Sequence, residues 1–174
     1  MNVDAFADRV NGSIDELGKW VDSKPPLLMN RAVGLMLGLP SWTVIGIAAY
    51  LTPSPKGHGT HLQLGLGECT MLHITGYPCP MCGMTTTFTL FAHLRVVDAL
   101  LNQPFGLVLF SATLAAAVIG IGDVLTGKGL WRAALRWVDR REQRIASVLL
   151  FGMLGGWIYK IFMMHPELRF WSVG

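Results

Sequence analysis

Three long apolar stretches constrain this chain more than any motif in it. Ala32 to Leu51 and Pro104 to Gly122 contain no charged side chain, and Ile145 to Met164 contains only Lys160. A hydrocarbon core about 30 Å thick takes about 20 helical residues, so each stretch can cross once. The fold class that follows is an all-α integral membrane protein with three transmembrane helices, at about 32–51, 104–124 and 145–164. Composition agrees: 14% of residues are charged and 52% hydrophobic, where a soluble domain carries about a quarter charged residues. Lys160 lies one turn from the end of its stretch, where a lysine is expected to snorkel to the headgroups.

Basic residues divide unevenly between the connections. Arg9, Lys19, Lys24 and Arg31 precede the first span, and Lys128, Arg132, Arg136, Arg140, Arg141 and Arg144 lie between the second and third. The first connection carries only Lys56 and Arg95, and the tail only Arg169. Basic residues stay on the cytoplasmic side, so the N-terminus is expected inside and the first connection and C-terminus outside. The net charge of +3 then reflects topology and gives no reason to invoke nucleic acid. Residues 1–24 carry Asp4, Asp8, Asp15, Glu16 and Asp22, unlike a cleavable signal. The expected organisation is a cytoplasmic amphipathic segment over 1–31 and one membrane domain over 32–174, with an outward loop and helix at 52–103.

Within residues 3–21, Val3, Phe6, Val10, Ile14, Leu17, Trp20 and Val21 recur at helical spacing, and Ser13 with Glu16 forms a capping box. The polar face is net acidic, which favours another membrane or cytoplasmic protein, or the chain's own cytoplasmic loop, over anionic lipid. Trp131, Leu135 and Val138 interleave with Arg132, Arg136 and Arg140, the pattern of a basic interfacial helix on the inner leaflet. Gly38-Leu39-Pro40 predicts a kink in the first span. Gly152 and Gly156 form a G-x-x-x-G pair whose default use is close packing within the chain.

All three cysteines, Cys69, Cys79 and Cys82, fall in the outward connection beside His58, His61 and His73. Pro80 suits a first helical position, so Cys79 is expected as an N-cap, with an extracytoplasmic helix running toward Pro104 and broken near Arg95. At 100° per residue Cys82, Thr86, Thr89 and His93 share a face with Thr85 beside it, giving a polar seam. Threonine hydroxyls bonded back to their own helix explain that seam equally well.

The run Cys79-Pro-Met-Cys-Gly-Met-Thr-Thr, with Gln103-Pro104 opening the next apolar helix, resembles an uncharacterised bacterial membrane-protein family with a C-P-x-C-G-x-T-[RT] signature. Upstream, Gly59-Thr60-His61, Gln63-Leu64-Gly65-Leu66-Gly67, Cys69 and Thr75-Gly76-Tyr77-Pro78 look like its Thr-Thr subgroup, so the resemblance covers 59–105. Thr86 stands where many members have arginine, and Leu94-Arg95 where a Gly-Asp turn is common. The resemblance implies a fold and a bacterial cytoplasmic membrane, and carries no activity.

Two uses of the cysteines follow from the residues. Cys69, Cys79, Cys82 and His61 make a Cys3His set suited to zinc, and a structural zinc is worth on the order of 10 kcal/mol. A disulfide would brace the loop less, by about 2–3 kcal/mol depending on the pair. Either gives a membrane accessory or assembly protein with an extracytoplasmic clip. The alternative is a thiol-disulfide oxidoreductase or metal-handling protein, with Cys79 attacking and Cys82 resolving. No Ser/His/Asp set, Walker loop or H-E-x-x-H motif occurs, so hydrolytic and nucleotide-driven chemistry has no foothold. Asp98 and Asp123 sit only near span ends, which argues against ion transport.

Overall fold

A computed structural model describes residues 26–165; the amphipathic segment expected at 3–21, and Arg169, lie outside the described residues. Every element among the described residues is helical: α1 (Pro26–Tyr50), a 3-10 turn (Thr60–Leu64), α2 (Thr70–Thr75), α3 (Met84–Ala92), α4 (Val96–Asn102), α5 (Pro104–Thr126), α6 (Leu130–Asp139) and α7 (Glu142–Met164). Three of them, α1, α5 and α7, are long and apolar enough to cross a membrane. At 1.5 Å per residue even the 23 residues of α5 or α7 extend for roughly 35 Å, more than the hydrocarbon core. This is an all-α membrane protein. α1 and α7 begin several residues ahead of the expected spans, because charge limits how much of a helix enters lipid but not where the helix starts.

α1 and α5 pack antiparallel through glycine. A Cβ on Gly120 would stand 2.5 Å from the Gly38 Cα, and one on Gly34 2.8 Å from the Gly120 carbonyl oxygen. Those distances leave no room for any side chain, so backbone meets backbone. The Trp42 indole donates to the Ala117 carbonyl at 3.2 Å farther along the same seam. Pro40 lies within α1, which continues through it; the Ser41 and Thr43 hydroxyls bond back to Leu37 and Leu39. The expected G-x-x-x-G pair of α7 also packs within the chain: Gly152 and Gly156 admit Phe105, whose atoms would stand 3.0 Å from a Cβ at either glycine.

α6 is the expected basic amphipathic helix. Its first turn is capped from α5, where the buried Asp123 carboxylate accepts the Leu130 and Trp131 amides at 2.6 and 2.8 Å. Asn30 closes the same corner, donating to the Gly127 carbonyl at 2.7 Å and accepting the Trp131 indole. Arg132 lies over Trp131 and Arg141 over Trp137, giving the cationic and aromatic surface that suits a headgroup layer.

Candidate functional site

The cysteine segment starts no helix at Pro80. Cys79 to Gly83 form a turn, with the Cys82 amide donating to the Cys79 carbonyl at 2.9 Å, and α3 begins only at Met84. Gly83 explains the delay: its φ of 86° is a left-handed conformation, which interrupts any helix nucleated at Pro80. The expected break near Arg95 is present, at Leu94 with φ 61°.

The turn is gripped through its backbone by the helices that follow it. The carbonyls of Pro78, Pro80 and Gly83 accept the Trp157 indole, the Gln103 amide and the Asn102 amide at 2.7, 3.2 and 3.1 Å. Asn102 Nδ2 also donates to Thr87 at 2.8 Å. Lys160 does not snorkel outward; it is buried, and its ammonium donates to Asn102 Oδ1 at 2.8 Å and the Gly57 carbonyl at 2.9 Å. A lysine buried at the end of a span must spend its hydrogens on protein acceptors, and the loop supplies them. A Cβ at Gly83 would fall 2.7 Å from the Gly57 oxygen, so this crossing point needs glycine.

Of the expected polar seam, Thr86 and Thr89 are fully buried, Thr85 half-buried and His93 exposed. Thr89 bonds back to the Thr85 carbonyl and His93 Nδ1 to that of Thr89, both at 2.8 Å, which is the local explanation. Thr86 alone reaches another element, meeting the Thr60 hydroxyl at 2.8 Å; Thr60 in turn accepts the Ser54 amide. The seam is structural support for the loop.

The four expected zinc ligands do not converge. His61 turns to the Gly67 carbonyl at 3.2 Å, Cys82 is buried, and no group of three His, Cys, Asp or Glu side chains among the described residues stands close enough to hold a metal. What the fold does bring together is one thiol pair. Cys69 and Cys79 lie close enough to act on one another's acidity, and all three cysteines are free thiols.

Their acidities diverge. Cys69 stands ahead of α2, where the Leu72 amide favours the thiolate and holds its pKa below the ordinary value. In the neutral form it makes no cap hydrogen bond, so the effect belongs to the charged state. Burial, and then the neighbouring Cys69 sulfur, push Cys79 up. Burial pushes Cys82 up to about 11. The low-pKa position expected at Cys79 is thus occupied by Cys69, for the same physical reason: that is where a helix begins.

Cys69 and Cys82 line a cavity of about 480 Å³ shared with Lys56, His58, His61 and Glu68. Burial, then the neighbouring Lys160 and Lys56, hold the His58 pKa below its ordinary value.

The fold and this site define a three-span membrane protein with two neighbouring thiols in the segment between its first two spans. Residues 69–117 match a family described as a protein of unknown function (DUF2752), a stretch running from Cys69 through the cysteine turn into α5. No curated protein and no solved structure matches.

Proposed function

We propose that the chain is a membrane accessory protein whose extramembrane loop is closed by a reversible Cys69–Cys79 disulfide. The observation that carries this reading is the nearness of those two thiols, each of which acts on the other's acidity. Closing it would constrain a loop of about eleven residues, worth about 3 kcal/mol. The distribution of Lys and Arg supports a loop and C-terminus outside and an N-terminus inside, and the resemblance supports a bacterial cytoplasmic membrane. An oxidising compartment is where such a link persists.

The test is thiol counting on the purified protein before and after mild oxidation, beside elemental analysis. Two of the three thiols should be lost on oxidation and zinc should stay far below one per chain. One zinc per chain with three protected thiols would replace the disulfide by a metal clip using Cys69, Cys79, Cys82 and His61.

A second reading, a thiol-disulfide oxidoreductase, is favoured by Cys69 opening onto the cavity while its partner Cys79 does not line it. In that reading Cys69 attacks and Cys79 resolves, in place of the Cys79 and Cys82 roles suggested by motif alone.

A further inference from the structure

The cavity that Cys69 opens onto is more than a gap in the loop. Its volume of about 480 Å³ is within the range that encloses a small organic molecule. Lys56 has no carboxylate partner among the described residues, whereas the lone acid of the lining, Glu68, stands 3.8 Å from His73. The cavity therefore presents the Lys56 ammonium without a neutralising carboxylate, with the Lys160 ammonium close enough to act on His58 as well. Leu62 and Leu72 supply apolar wall.

We infer that this cavity receives one half of a small, carboxylate-bearing organic disulfide and presents its sulfur to Cys69. The inference rests on the Cys69–Cys79 pairing proposed above. The Cys69 thiolate attacks the disulfide, forming a mixed disulfide and expelling one half as a thiolate, which takes up the proton Cys69 gave to solvent. Cys79, deprotonated in turn, attacks the Cys69 sulfur and expels the second half. One disulfide is reduced to two thiols, and two protein thiols are oxidised to one disulfide. Cys82 takes no part, since its buried thiol is the one least able to ionise.

The experiment uses the full chain, reduced, in detergent micelles, with glutathione disulfide as the anionic probe and cystamine as the cationic one. Rates are divided by those of the same reagents with the denatured chain, which removes their intrinsic reactivity. Glutathione disulfide should then be favoured by about tenfold, a preference that Lys56→Glu abolishes. Cys79→Ser should accumulate a single adduct, mapped to Cys69, while the unmodified chain releases both halves and keeps none. Should Cys79→Ser fold poorly, that release from the unmodified chain carries the test. No preference between the probes, or an adduct on Cys82, overturns the inference, yet leaves the pairing intact if diamide still forms the Cys69–Cys79 bond. Absence of that bond under diamide overturns both.

Discussion

Cys69, Cys79 and Cys82 carry the same side chain, and their surroundings separate them by charge stabilisation and burial. Because the Cys69 pKa lies below the ordinary thiol value and the others above it, its thiolate fraction is the first to grow as pH rises. Iodoacetamide labelling followed by peptide mapping should find Cys69 modified first, Cys79 later, and Cys82 only as pH approaches about 11 or the chain unfolds. Equal rates at the three sites would contradict the assigned environments. The clustering of these cysteines was legible in the sequence. Which of them would stand ahead of a helix was not, because Pro80 favours a helix start but says nothing of the left-handed Gly83 that postpones it.

Lys160 belongs to the same scale. Replacing it with methionine keeps much of its volume but leaves Asn102 Oδ1 and the Gly57 carbonyl without their donor, at a cost of about 3 kcal/mol. The check is thermal unfolding in detergent, where Lys160→Met should melt well below the parent chain; an unchanged midpoint would make the ammonium dispensable. A snorkelling lysine and a buried one have the same sequence signature. The distinguishing signal was the polar pair Asn102-Gln103 directly ahead of a span, amides that need partners at that depth.

Among the elements, the seam between α1 and α5 is the most demanding. Gly120→Leu would drive a side chain into the Gly38 backbone, whereas a Cβ at Gly46 meets nothing within 4 Å. Gly120→Leu should lower the yield of folded monomer severalfold by size-exclusion chromatography, and Gly46→Ala should leave it unchanged. Equal yields would argue against close packing at this seam. The existence of the three long helices could be read from uncharged length alone. The seam could not: Gly34 and Gly38 have the same spacing as Gly152 and Gly156, and spacing does not say which partner surface is small enough to receive it. Gly120 answers the first pair with backbone, and Phe105 fills the second with a ring.

For the molecule as a whole, the structure ties the thiol loop to the membrane helices through main-chain carbonyls held by Trp157, Gln103 and Asn102. Oxidation at Cys69 and Cys79 therefore acts on a turn whose far side is anchored in α7 and the α4–α5 junction. Sidedness belongs to this scale too: a membrane-impermeant maleimide added to intact cells should label a cysteine placed at Lys56, and one placed at Lys128 only after lysis. The reverse pattern would invert the topology. Neither the anchoring nor the thiol pairing was legible from sequence, since both join residues from different elements, and periodicity reports only one element at a time.

The most direct measurement is disulfide mapping of the membrane-embedded chain, alkylated in situ and digested without reductant after exposure to a mild oxidant. A Cys69–Cys79 cross-linked peptide with Cys82 recovered as an alkylated thiol is the expected result. A bond joining Cys79 to Cys82, or three alkylated cysteines, would contradict it.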